Sequence, residues 1–289
     1  MKFRCLGVLG FTTLSVFAQE GTLSRAWKII EDAHAQNNSI QRSQLLNALS
    51  AAGTNPRTIA ILEAGLSDKS SEVRQAAAAV LGDVKSRSSI PKLTAALDDE
   101  AAEVSFTAAR SLWNMGDLSG RDIFMEVLAG ERGNSPGLVK GSMRQVKHRL
   151  HNPASLAMLG VKEGAGMFLG PFSMGIMVFE ELRKDGSASA RTLATVMLAS
   201  DSDPASIRNL EEALSDKNWI VRAAAAKALA ARGSRDSVPN IEPLLSEDRH
   251  RVRYVAAAAI VALAGQAVPQ AEHPAVPSTT VPSTTTRIP

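Results

Sequence analysis

Five histidines, one cysteine and a few Asp–Arg pairs are the side chains of this 289-residue chain best suited to chemistry. His34, His148, His151, His250 and His273 are scattered, and none has a carboxylate partner at metal-ligand spacing. His148 and His151 stand i,i+3 and would share a helix face. Two imidazoles alone are a weak metal pattern, because structural and catalytic sites ask for three or four ligands. The competing reading is a pair of surface histidines on a basic helix. No glycine-rich phosphate loop leads into a Lys-Ser/Thr, and no Gly-x-Ser-x-Gly elbow occurs. The residues therefore point to no catalytic group, no metal and no cofactor.

Two stretches could instead make contacts. Between Lys140 and Arg149 the charges Lys140, Arg144, Lys147, His148 and Arg149 meet no acidic residue, while Met143, Val146 and Leu150 follow helical spacing. A basic amphipathic helix of this kind meets an anionic headgroup or an acidic partner, or is a solvated face over a degenerate repeat. The second stretch, Gly164 to Phe179, has no charge and carries Gly164, Gly166, Gly170-Pro171 and Gly175. As a helix it would reach only ~24 Å against a hydrocarbon core of ~30 Å, and Gly170-Pro171 breaks it midway, so it does not span a membrane. It reads either as a buried Gly-rich turn and helix or as an apolar patch that docks a partner or membrane surface. Membrane-surface contact through 138–179 thus stays open.

At the N-terminus, Lys2 and Arg4, an apolar run from Cys5 to Phe17, and Val16-Phe17-Ala18 before Gln19 have the form of a secretory signal over 1–18. Its apolar run is too short for a spanning anchor. Cleavage would remove the only cysteine, excluding disulfide and thiol chemistry from the mature chain. It would also bring 32 basic residues to 30 against 29 acidic ones, which gives no support for nucleic-acid binding. A periplasmic or extracellular location in a bacterial envelope is the expectation. The composition is 45% apolar but only 4% aromatic, and alanine dominates, which argues an all-α fold of closely approaching helices.

The elements that would carry these residues come from a repeat. Ile207, Leu210, Leu214, then Val221, Ala224, Ala225, Ala228 and Leu229 recur 31 residues on as Val238, Ile241, Leu245, then Val252, Val255, Ala256, Ala259 and Ile260. Offsets of 0, 3, 4, 7 and 8 trace one face of an α-helix, and the leading three residues fit a shorter helix before it. The same pattern appears at Ile59, Leu62, Leu66, Val73, Ala76, Ala77, Val80 and Leu81, and at Ile90, Leu93, Leu97, Val104, Thr107, Ala108, Ser111 and Leu112. Pro56 and Pro204 lie 17 before their central Val, Pro91 and Pro239 lie 13 before theirs, so 56–116 and 204–265 read as a duplicated unit.

Such helix pairs bury their apolar faces only by stacking. The predicted organisation is a capping pair at 19–54, with Trp27 covering its open end, repeats at 55–135, an insert at 136–172, repeats at 173–265, and a disordered Pro/Ser/Thr-rich tail at 266–289. Phe124 and Leu128 continue the first block until Ser135-Pro136-Gly137 interrupts it. A degenerate repeat near 173–200 places Ala190, Leu193, Ala194, Met197 and Leu198 on the core face, with Ile176 and Phe179 ahead of them.

These residues resemble HEAT repeats, in particular the short variety named after phycobilisome lyases. The likeness rests on Asp68 with Val73-Arg74, Asp216 with Val221-Arg222, Glu247-Asp248 with Val252-Arg253, and the alanine cluster that ends at Gly82. It implies a right-handed α-solenoid of antiparallel helix pairs. It also implies a structural hydrogen-bond ladder between neighbouring repeats through Asp68, Arg74, Asp216, Arg222 and Arg253, interrupted where Ser105 replaces the Arg. The iron-using branch resembling deoxyhypusine hydroxylase draws its ligands from His-Glu pairs, and no His-Glu dipeptide occurs here. Against chromophore-lyase activity stand the export signal, a mature chain without cysteine, and a single tyrosine.

The leading expectation is an exported, noncatalytic scaffold or adaptor that binds an unknown protein or peptide. A rod of about six helix pairs, ~60 Å long, would supply the interface. Its contacts are expected at the solvent-facing residues of the longer helices, Glu72, Gln75, Glu103, Arg110, Lys227 and Tyr254, and at Lys140, Arg144 and Lys147. The alternatives are an enzyme or enzyme accessory, and a peripheral envelope protein using 138–179.

Overall fold

The computed structural model of the chain describes residues 9–129 and 186–265, which form helices and short connections. In chain order the helices are α1 (Leu9–His34), α2 (Ser39–Ala48), α3 (Pro56–Gly65), α4 (Ser71–Asp83), α5 (Ile90–Ala95), α6 (Ala102–Asn114) and α7 (Arg121–Ala129). Then follow α8 (Gly186–Leu198), α9 (Ala205–Ala213), α10 (Trp219–Ala231), α11 (Val238–Ile241) and α12 (His250–Gly265). The expectations for the start of the signal, for Lys140, Arg144 and Lys147, for 136–172 and Gly164–Phe179, and for the tail lie outside the described residues. Among the described residues no helix is long and apolar enough to cross a membrane.

Local chemistry sets where helices start. Pro56, Pro91 and Pro239 occupy first turns, where a missing N–H costs nothing, whereas Pro204 stands just before α9. Asn38, Asn55 and Asn218 each accept backbone N–H groups at the starts of α2, α3 and α10. Short helices α3, α5, α9 and α11 precede long helices α4, α6, α10 and α12. Val73, Val104, Val221 and Val252, the central residues of the repeat, are at most 1% exposed.

Small side chains allow the long helices to approach closely. A Cβ on Gly82 of α4 would fall 2.5 Å from Ser111 Cβ and 2.8 Å from Ser111 Cα on α6, so this glycine is demanded by packing. Ser111 in turn donates to the Ala78 carbonyl at 2.8 Å.

The order of stacking departs from expectation. A chain-ordered rod would leave α1 at an open end, covered by Trp27. Instead α12 packs against α1, α2 and the Leu49–Ala52 turn that follows α2. The long-helix row therefore runs α8, α10, α12, α2, α4, α6, and one continuous apolar core passes through both halves. Trp27 is half-buried with the Arg57 guanidinium 4.1 Å above its ring, so it does not cap an end. The physical reason is reciprocal need: the first and last pairs each carry an apolar outer face, and each covers the other's. Thr22, Ala26, Ile30 and Ala33 of α1 are buried, and all lie after the Ala18–Gln19 bond where the signal reading places cleavage.

A second correction concerns α8. Ala190, Leu193, Ala194 and Met197, expected in the core, are exposed, Leu193 at 52% and Met197 at 68%. The buried residues are Ala188, Thr192 and Thr195, on a helix that packs mainly on α10. The repeat register itself is kept, because Arg191, one residue after Ala190, pairs with Asp216 as the other ladder arginines do with theirs.

Candidate functional site

The Arg–Asp pairs form one recurring geometry. Asp68, Asp99 and Asp216 each accept the backbone N–H two residues on, at 2.8 Å, which shapes the turn before the long helix. Each also receives a two-pronged guanidinium from the preceding repeat: Arg42 on Asp68 at 2.8 and 2.8 Å, Arg74 on Asp99 at 2.7 and 2.9 Å, Arg191 on Asp216 at 2.7 and 3.1 Å. Arg222 meets Glu247 at 2.5 Å.

The same arginines turn back on their own repeat, Arg74 to the Asp68 carbonyl and Arg222 to the Asp216 carbonyl. Ser105 keeps this last bond, donating to the Asp99 carbonyl at 3.0 Å, but has no reach for a further carboxylate. Burial alone would raise the Asp68 carboxyl; the Arg42 and Ser70 donors outweigh it and hold it below its ordinary value, and Asp216 behaves likewise with Arg191 and Asn218. These arginines hold repeats together.

Arg42, Asp99 and Arg191 were not singled out by the sequence reading. Arg191 had a usable signal, lying 31 before Arg222. Arg253 donates to the Glu247 and Asp248 carbonyls and meets His250 Nδ1. The repeat beyond it in space is that of α2, where Gln36 holds the position of the ladder carboxylate, six before Arg42. No Arg–carboxylate pair of this pattern is seen there among the described residues.

The expected contact residues fall into three groups. Glu72 is exposed. Gln75 and Glu103 are half-buried and engaged between repeats, Gln75 Nε2 on Thr107 Oγ1 and Ser71 Oγ on Glu103, both at 3.2 Å. Tyr254 corrects an expectation: it is 4% exposed, with its ring stacked on His250 at 6.0 Å, and burial pushes its phenol up. It lies on α12, which is covered on both flanks of the row. Arg110 and Lys227 are half-buried, and the structure brings both near a residue that the sequence reading missed, Asp83.

Arg110 acts electrostatically on Asp83, and Asp83 and Lys227 line a cavity of about 530 Å³ where the first and last helix pairs join. Its walls are Ser50 to Pro56 after α2, Asp83 and Val84 at the end of α4, Lys227, Ala230 and Ala231 of α10, and Ala262 and Gly265 of α12. Lys227 donates to Ser50 Oγ at 2.7 Å, across 177 residues of sequence. Gly53, at φ +60, makes the sharp turn that carries Thr54 and Asn55 over the cavity.

Protein crowds the charges on most sides while the cleft keeps Asp83 in contact with solvent. Burial lowers the Lys227 ammonium to about 8 against the pull of Asp83, and lowers Arg110 too. It raises Asp83, with Lys227 and Arg110 opposing. Among the described residues no three His, Cys, Asp or Glu side chains are grouped as a metal ion would require.

The family model for HEAT repeats matches residues 59–133 and 177–264, more than half of the chain. The chain belongs to the HEAT-repeat family. Its HEAT repeats form a helical scaffold; the second matched block packs on α1 and α2, which precede the first, and the first block contributes Asp83 and Val84 to the cleft. No curated protein matches the sequence. Among solved structures the chain is similar to human deoxyhypusine hydroxylase in complex with glycerol, at 19% identity, covering 86% of this chain and 98% of that one with a TM-score of 0.31.

Proposed function

We propose that this chain is an exported, noncatalytic HEAT-repeat adaptor that holds a protein or peptide against its row of long helices. The supporting observation is an open cleft walled by both halves, with Asp83 and Lys227 set in an otherwise alanine-rich wall. A cleft that sets a few charged side chains in an apolar wall offers a partner both apolar cover and polar contacts. Glu72 and Glu103 extend the polar surface along α4 and α6.

Photo-crosslinking in the exported fraction tests the reading. A crosslinker at Glu72 or Lys227 captures a discrete partner, whereas one at Lys92 on the short-helix side does not. Equal capture from both positions, or turnover of a substrate by the purified protein, contradicts the adaptor.

A further inference from the structure

We propose that the cleft at the join is occupied by the chain's own C-terminal segment. Val268 and Pro269, which follow the end of α12, lie across the alanine wall and compete with a partner for it. As regulation of the cleft this rests on the adaptor reading; the contact itself does not.

The point of departure comes first. Residues 266–289 leave α12 at Gly265, and Gly265 is itself part of the cleft wall. Asn55 Nδ2 lies 3.2 Å from where a Gly265 Cβ would be, so the chain departs beside the Thr54-Asn55 rim. Val268 follows three residues later and stays within ~11 Å of Gly265 in any conformation. A tether this short holds the segment at an effective concentration of about millimolar or more, which a separate partner must exceed.

The wall then selects what it takes. Pro56 and Ala231 are exposed and Val84 and Ala262 half-buried, so apolar surface in the cleft is left without cover. About 530 Å³ holds a few small residues and no folded element. Ala267-Val268-Pro269 is of that size, and residues 266–271 carry no charge. Pro269 brings no N–H that an apolar wall would leave unsatisfied. It also holds Val268 extended, so little freedom is lost on docking.

Asn55 supplies the polar link. Its Oδ1 accepts the Arg57 and Thr58 N–H groups as the cap of α3. Its Nδ2, beside Gly265, is placed to donate to a carbonyl of the turn at Gln266. Val-Pro recurs at 276–277 and 281–282, but those pairs lie beyond Glu272 and His273 on a longer tether. A proline that only stopped α12 would ask nothing of Val268. The valine side chain therefore separates docking from mere helix termination.

The experiment is methyl NMR on the full mature chain with alanine and valine labelled. Nuclear Overhauser contacts run from the Val268 methyls to Val84 and Ala231, on α4 and α10. Val268→Asp removes them, shifts the Ala231 and Ala262 methyls, and leaves the thermal transition in place. The probe acetyl-Gln-Ala-Val-Pro-Gln-amide binds Val268→Asp about tenfold more tightly than the parent chain, as a cleft about nine-tenths self-occupied requires. Val281→Asp, in the last Val-Pro pair, leaves the cleft signals where they are.

Absence of contacts from Val268 to Val84 and Ala231, or equal binding of the probe by both chains, overturns the proposal. Val281→Asp moving the cleft methyls where Val268→Asp does not would assign the cleft to a later pair and overturn it as well. These readouts need no partner. Failure of the crosslinking test leaves the contact standing, and failure of the contact leaves the adaptor reading untouched.

Discussion

The junction between α4 and α6 and the junction between α12 and α2 join neighbouring repeats of one stack by different means. At the first, Arg74 and Asp99 are about 10% exposed and clamp each other, and Gly82 lets α6 come within contact of the α4 backbone. At the second, Gln36 stands where a ladder carboxylate would be, and beside it Arg25 of α1 pairs with Glu242 just after α11, 51% and 36% exposed. A cavity remains beside it. Repeats adjacent in sequence arrive with their spacing fixed by a short linker, so they can be tightly keyed. The first and last pairs meet across more than 200 residues of chain, as the 217-residue separation of Arg25 and Glu242 shows. That contact rests on apolar cover and a few polar links, and it leaves room for a site.

Paired substitutions sharpen the contrast, starting with the largest effect. Arg74→Ala strands a buried carboxylate and costs about 3–5 kcal/mol by chemical denaturation. Its counterpart at the join, Arg25→Ala, costs less than about 1 kcal/mol because both partners are exposed. Gly82→Val drives a side chain into Ser111 and costs about 2–3 kcal/mol, whereas Ala262→Val, whose added methyls enter the cavity, changes stability by less than about 1 kcal/mol. Similar costs at both junctions would erase the distinction.

The join should also carry a pH signature. Lys227 titrates at about 8 in the folded chain, below its ordinary 10.5. The unfolded chain therefore binds the extra proton between those values, and this contribution to stability rises with pH from about 8 towards 10.5. Lys227→Met removes that slope from thermal melts. The smallest effect is expected from Gln36→Glu, which supplies the missing carboxylate opposite Arg253 and adds up to about 1 kcal/mol.

What was legible in the sequence follows the same divide. Helix pairs and their central valines recur at a fixed interval, so spacing alone exposed them, while the Asp68 and Arg74 ladder was implied by the resemblance to HEAT repeats. Arg191 lay on that interval and could have been read from it. Asp83 could not, because it is the last residue of α4, off the repeat's apolar face, and gains meaning only from Lys227 and Arg110, which other repeats bring near. Tyr254 was misread for a related reason: its offset on α12 resembles that of Gln75 on α4, but α12 is covered by α10 on one flank and by α1 and α2 on the other. Periodicity reports a helix's phase. It is silent on which non-sequential helices flank it, and the cleft is made by such neighbours.

The meeting of the first and last helix pairs is the central claim, and intramolecular cross-linking tests it most directly. In a Cys5→Ser background, Arg25→Cys and Glu242→Cys together should be bridged by a short bismaleimide within one chain, giving a fast-migrating monomer at high dilution. A chain stacked in sequence order would hold these positions far apart. Only intermolecular dimers, or no product, would contradict the closed arrangement and with it the cleft.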